Sequence, residues 1–271
     1  MRLRATATLR TPRTEIEYVV TRSGEPFTLY VHGLAGSIGE TRTFASGVPG
    51  TAAFMHLRGH GATRGLDGRW DGTVLAADVR AVSDQVGARQ AVGVSLGALA
   101  LLGLLAESPD RFTRVVALLP PRAVFDAAPD PWVRHAWSSI AGYLAEERVA
   151  DAAEALLAMQ PAAARTLPQA RDHYAGAAKR LVGWGPALVD ALRALPVAGA
   201  PIDPVALSAI TTPVLVVGQH GDRLHPVDTA ARLADALPNA TYLDLGDAAV
   251  PWSGRQPLRS ALAEFLTPAS R

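Results

Sequence analysis

Gln90–Ala100, QAVGVSLGALA, sets a serine between two glycines where a short β-type run passes straight into an apolar helical run. Gln90 to Val94 has strand character. From Ser95 to Ala106 the composition turns helical, with no break between the two. Gly93-Val94-Ser95-Leu96-Gly97 is thus a G-x-S-x-G pattern at a strand-to-helix turn. The physical demand there is steric: a tight turn needs neighbouring backbone to approach without a Cβ in the way, which glycine allows. The turn holds the serine Oγ clear of the sheet, and the N-terminus of the next helix points at the reacting atom.

Working outward, strands and helices alternate. Glu15–Thr21 (EIEYVVT), Phe27–Val31 (FTLYV) and Ala52–Leu57 (AAFMHL) read as strands before the serine, and Val115–Leu119 (VVALL) as the next strand after it. Between Trp70 and Gly87, Leu75, Val79, Val82 and Val86 recur at helical spacing, with Gly87 as the stop. Short strands joined by helices predict a mostly parallel, twisted sheet covered on both faces, with reactive loops at the carboxyl ends of its strands.

The β pattern then disappears. Helical segments at Trp132–Leu144, Val149–Met159, Ala170–Leu181 and Pro186–Leu195 are punctuated by prolines. Strand character resumes at Pro213–Val217 and Thr241–Leu245, with helices at Pro226–Ala236 and Arg255–Leu266. The simplest organisation is an α/β core of residues 1–120 and 208–271, interrupted by a helical cap over 121–207.

Composition narrows the function. Hydrophobic residues make up 49% and charged residues 19%, enough apolar side chain for a large core. A net charge of +1, with no basic stripe, gives no sign of a nucleic-acid partner. The absence of cysteine removes disulfides, thiolate nucleophiles and zinc–thiolate sites. Met1 to Val20 has no apolar stretch of leader length, and the longest apolar run, Ala98–Ala106, falls short of the roughly 20 residues that span a bilayer. A cytoplasmic protein without a membrane partner is the expectation.

With His32-Gly33-Leu34-Ala35-Gly36 after one strand and Leu57-Arg58-Gly59-His60-Gly61 after the next, the pattern around Ser95 resembles the α/β-hydrolase superfamily over nearly the whole chain. That resemblance implies Ser95 as nucleophile and the backbone amides of Leu34 and Leu96 as an oxyanion hole. His32 is usually structural in the family, with contact to substrate as its other role here; Arg58 and His60 belong to a turn that is normally architectural. Val217-Gly218-Gln219-His220-Gly221-Asp222 resembles the family's acid loop, which makes Asp222 the triad acid. His225, beside Pro226 at a helix start, reads as a loop residue rather than a catalyst.

The family's histidine follows the last strand, and here that stretch is Leu243-Asp244-Leu245-Gly246-Asp247-Ala248-Ala249-Val250-Pro251-Trp252. No histidine occurs after His225. Asp247 holds the expected place, or Val250 in a shifted loop. A serine hydroxyl needs a base near neutral pKa, and an ordinary aspartate at about 4 is a weak one. Three readings follow. A histidine from elsewhere (His220, His225, His135 or His173) serves a hydrolase of esters, lactones or thioesters. Alternatively Asp247 and Asp222 share a cleft, one carboxyl pKa rises, and the site runs epimerisation, isomerisation or elimination beside a carbonyl, as non-hydrolytic superfamily members do. In the third reading the cleft binds a ligand without chemistry.

Large aromatics gather in the insertion, at Trp132, Trp137, Tyr143, Tyr174 and Trp184, with Trp252 in the last loop. Individually each can be packing. As a group, with Trp132, Trp137, Trp184 and Trp252 foremost, they suggest a pocket for a hydrophobic small-molecule or peptide substrate. No phosphate loop, dinucleotide fingerprint or metal-ligand spacing appears, so no cofactor and no metal are expected.

Overall fold

A computed structural model describes residues 6–65, 72–127, 130–194 and 201–267. The first five residues of the N-terminal segment, the expected helix start at Trp70 and the expected helix end at Leu195 lie outside them. Eight strands form one sheet: β1 (Ala7–Arg10), β2 (Glu15–Thr21), β3 (Phe27–Val31), β4 (Thr51–Met55), β5 (Gln90–Val94), β6 (Arg114–Leu118), β7 (Val214–Gly218) and β8 (Ala240–Asp244). Their order is β1-β2-β4-β3-β5-β6-β7-β8. β1 and β2 pair antiparallel at one end, and β4 to β8 in that spatial order are parallel. The α/β class read from the sequence is the observed one. Strand β1 is an addition, too short and too polar to register in the pattern.

The helices are α1 (Ile38–Thr41), α2 (Gly72–Val86), α3 (Leu96–Glu107), α4 (Pro131–Ala145), α5 (Val149–Ala158), α6 (Ala162–Arg165), α7 (Pro168–Gly183), α8 (Pro186–Ala194), α9 (Pro204–Ser208), α10 (Val227–Ala236) and α11 (Arg255–Leu266). Alternate strand residues feed two cores, one on each face of the sheet. Leu29, Val31, Val115 and Ala117 pack with α2 and α3 residues, while Tyr30, Val92, Val116 and Leu118 pack with Leu258, Leu262 and Leu266 of α11. Burial on both faces explains why the central strands are continuous apolar runs. Helix α3 is buried nearly all round, so it carries no polar face, as expected of a helix inside the protein.

Helices α4 to α8 lie in sequence between β6 and β7, where α5 packs on α7 and α4 packs on α5 and α8. The sheet register decides what they face. Val31 lies beside Gly93, Gly93 beside Ala117 and Ala117 beside Val216, so the carboxyl ends of β3, β5, β6 and β7 are level. The loops leaving those four strands start side by side. Among the described residues no helix is long and apolar enough to cross a membrane.

Candidate active site

Ser95 caps α3 in a conformation that side chains rarely adopt, φ 51° and ψ −109°. Its amide donates to Leu118 O at 2.9 Å, which carries the β5–β6 ladder one residue into the turn. The flanking glycines are required by space. A Cβ on Gly93 would stand 2.5 Å from the backbone carbonyl of Gly97, and one on Gly97 would stand 2.4 Å from Val31 O. The strain at a non-glycine residue with positive φ costs on the order of 1–3 kcal/mol, sustained by the packed sheet and helix on either side.

A histidine of the loop after β7 reaches Ser95. His225 Nε2 lies 2.8 Å from Ser95 Oγ, and His225 Nδ1 lies 3.0 Å from Asp222 Oδ2. Asp222 is buried, and burial would raise its pKa; the charge of His225, with hydrogen bonds from His225 and Gln219, outweighs that and holds it below the usual carboxylate value. An ionised carboxylate only accepts, so Nδ1–H donates to Asp222 and Nε2 is left to accept the Ser95 hydroxyl proton. The loop is folded by the same carboxylate: Asp222 Oδ1 accepts from the amides of Leu224 and His225, both at 3.0 Å. Gly221, at φ 68°, makes the preceding turn, and Pro226 opens α10. His225, read from sequence as a loop residue, is therefore the histidine at the serine.

Asp247, expected in the histidine's place, is not in this cluster. Its side chain is 95% exposed and lies 3.9 Å from His220. His220 itself turns away to Asp244, 2.9 Å from Nε2. His135 is exposed, and His173 lines the cavity beside Glu40 rather than Ser95. The last loop contributes differently. Gln219 donates to Asp222 Oδ2 at 2.7 Å and accepts from Val250 N at 2.8 Å, so it couples the acid to the segment Val250-Pro251-Trp252 on the cavity wall.

Three neutral histidines hold the loop after β3. His32 Nδ1–H donates to Gly33 O and its Nε2 accepts from Leu57 N. His60 Nδ1–H donates to Arg58 O while Nε2 accepts from Ala35 N; His56 donates to Glu17 and accepts from Ile38 N. Burial drives the pKa of His32 well down and that of His60 to about 4, so both stay uncharged. His32 also borders the cavity, though both ring nitrogens are engaged with backbone. Arg58 makes a buried two-point pair with Asp78 at 2.7 Å, tying the turn after β4 to α2. The amides of Leu34 and Leu96 have no partner among the described residues, and both residues border the cavity.

The cavity has a volume of about 570 Å³ and contains Ser95 and His225 in its wall. Leu99, Val133, Trp137, Leu156 and Met159 make an apolar side, and Trp252 closes another. Trp137 and Trp252 border it. Trp132 and Trp184 do not: the Arg223 guanidinium covers the Trp132 ring at 4.5 Å, and Trp184 packs edge-on against His60 at 5.1 Å. Among the described residues no three metal-ligating side chains stand together.

No protein-family model matches the sequence, and no curated protein is similar to it in sequence. Solved structures are similar in shape. An α/β-hydrolase enzyme, MGS-M2, from a Medee basin deep-sea metagenome library superposes with a TM-score of 0.79 at 16% identity, covering 98% of each chain. The chain has the α/β-hydrolase fold. A thermophilic esterase from Thermogutta terrifontis gives 0.78 at 19% identity over 97% of this chain and 98% of its own. An enol-lactonase from Burkholderia xenovorans LB400 gives 0.77 at 19% identity over 97% and 100%. In the frame of that fold, Ser95 occupies the strand-to-helix turn and Asp222 the loop after β7. His225 stands three residues past Asp222, and no histidine follows β8.

Proposed function

We propose that this protein hydrolyses small, largely apolar carboxylic esters or lactones, with Ser95 as nucleophile, His225 as base and Asp222 as the orienting acid. The observation that carries the proposal is the continuous line from Ser95 Oγ to His225 Nε2 at 2.8 Å and from Nδ1 to Asp222 at 3.0 Å. As Oγ attacks the carbonyl carbon, its proton passes to Nε2, and the imidazolium is stabilised by the ionised Asp222. The amides of Leu34 and Leu96 serve the oxyanion that develops. His225 then returns the proton to the leaving alkoxide. A lactone's leaving group stays tethered to the acyl chain. Water, deprotonated by His225, releases the acyl group and restores Ser95.

Two similar structures, an esterase and an enol-lactonase, support the ester and lactone class. The cavity's apolar side supports a hydrophobic acyl or alcohol part. Carboxylate-pair chemistry is not proposed, since Asp247 stands in solvent beside His220. The test is intact-mass labelling by a fluorophosphonate alongside turnover of a short chromogenic ester. The expected result is one label per chain, lost in Ser95→Ala together with turnover. A folded wild-type protein that takes no label overturns the proposal.

A further inference from the structure

Away from Ser95, the cavity has a polar corner that the reaction leaves unused. Glu40 on α1 and Arg180 on α7 are bound through Arg180 Nη2 and Glu40 Oε1 at 2.5 Å, and His173 Nε2 lies 3.7 Å from the same oxygen. These side chains are partly open, at 37% for Arg180, 28% for Glu40 and 26% for His173, and all three border the cavity. His173 and Arg180 lie seven residues apart, two helical turns, so one face of α7 presents both. A second arginine, Arg122, also borders the cavity, but it pairs with Asp126 where both are nearly half exposed.

Arg180 is also under-used. A guanidinium offers five donors in a fixed fork. The protein takes one of them for Glu40, and Nε is buried without a partner among the described residues. Nε is closed off from a ligand, so the Nη donors not used by Glu40, on a side chain 37% exposed at the cavity wall, are those a substrate acceptor can meet. The net charge of the corner limits what the acceptor can be. Glu40 already balances Arg180, so an anionic group arriving there meets a carboxylate as well as a guanidinium.

We propose that Arg180 is a substrate-positioning residue whose guanidinium donates to a second, neutral oxygen acceptor of the substrate, a ketone or amide carbonyl set apart from the scissile ester or lactone carbonyl. The substrate is then bifunctional, with one carbonyl at Ser95 and another at the Glu40–Arg180 corner. Burial pushes Glu40 up to about 7 against the pull of Arg180 and the hydrogen bonds from Ser37. The other groups facing it are His173 and Tyr174 on α7. Neutral acceptors are favoured above pH 7, where Glu40 is ionised, and carboxylates gain below it, where the charge of Arg180 is no longer offset.

The assay rests on the hydrolase reading, and its binding arm does not. Chromogenic aryl esters are compared as pairs: a plain acyl chain against the same chain with a ketone moved stepwise along it, and a carboxy-terminated chain as third member. Wild type is expected to favour the ketone at one chain position by about tenfold or more in kcat/KM, expressed in KM, the usual scale for a hydrogen bond to a charged group. In Arg180→Met that ratio falls to about one. In Glu40→Gln the carboxy-terminated ester gains about tenfold over the ketone. A ketone preference at no position in wild type, or one unchanged in Arg180→Met, overturns the proposal. If Arg180→Met does not fold, an unchanged carboxylate-to-ketone ratio in Glu40→Gln overturns it. The same esters titrated into Ser95→Ala by quenching of tryptophan fluorescence separate the two claims: if the wild type turns none of them over, a ketone preference in this binding that disappears on adding Arg180→Met sinks the hydrolase reading and leaves the subsite standing.

Discussion

Replacing His225 by glutamine tests the central geometry in one step. The imidazole makes two side-chain contacts, to Ser95 Oγ at 2.8 Å and to Asp222 Oδ2 at 3.0 Å, and both end with the ring. Without a base the serine keeps only its oxyanion donors and binding, so kcat/KM is expected to fall by about 10⁴-fold or more, ~5.4 kcal/mol at 1.36 kcal/mol per decade. The fold should tolerate the change. Asp222 retains Gln219 Nε2 at 2.7 Å and the amides of residues 224 and 225 at 3.0 Å, losing one bond of four. That amounts to about 1–2 kcal/mol, a few degrees in melting temperature. The assay is steady-state hydrolysis of a short aryl ester, with the melting curve measured on the same preparation. Asp247→Asn is the paired control, expected within twofold of wild type because its side chain is 95% exposed. A folded His225→Gln protein within tenfold of wild type, or an Asp247→Asn protein that loses activity, refutes the assignment.

The remaining expectations concern the frame around that line. Gly97→Ala sets a Cβ 2.4 Å from Val31 O and 2.8 Å from His32 O, both backbone atoms, so it should cost about 3 kcal/mol or more and show as a melting temperature lower by several degrees, or as insoluble protein; an unchanged melting curve speaks against so close an approach of β3 and α3. His60 has its pKa lowered to about 4 by burial, against about 6.5 when unfolded, so the unfolded chain takes up the proton first. Its contribution is full above pH 6.5 and is lost as pH falls toward 4, by up to about 3 kcal/mol; urea unfolding across that range should show the decline, and His60→Gln should make it shallower, with buried His32 keeping part of it. Gln219→Leu cuts the link between Asp222 and Val250 while leaving His225 in place, so KM for a bulky ester should rise several-fold with a smaller change in kcat. A change in kcat alone counts against the coupling.

Much of this was legible in the sequence because it depends on local physics. Leu29, Val31, Val115 and Ala117 are apolar where the sheet buries them, so the strands stand out as runs. Gly93 and Gly97 flank Ser95 because backbone fills the space where their Cβ atoms would be, and such a constraint leaves a fixed spacing in the chain. The role of His225 depends on which of two neighbouring loops reaches Ser95, a tertiary fact. Its one local signal was the spacing Asp222-Arg223-Leu224-His225 after Gly221, short enough for the carboxylate to meet both the ring and the amide of the same residue. The wall of the cavity was less legible still. Trp132 and Trp184 share the composition of Trp137 and Trp252, and only the packing of Arg223 and His60 tells them apart.

The level ends of β6 and β7 explain how His225, in the loop after β7, can reach Ser95 at all. Leu118 pairs with Val217, and Leu118 O accepts the Ser95 amide, so the loop leaving β7 starts one strand from the elbow's own hydrogen-bond partner. The loop leaving β8 starts farther out, since Gly218 separates Asp244 from β6. A histidine on the nearer loop needs only a tight turn to reach Oγ, and Asp222 supplies that turn through the amides of Leu224 and His225. The farther loop is engaged differently. Gln219 draws its Val250 amide inward, and the residues that follow, Pro251 and Trp252, become wall of the cavity. A single buried carboxylate therefore folds the loop, holds the His225 ring at Ser95 and, through Gln219, is tied to the Val250–Trp252 side of the cavity wall.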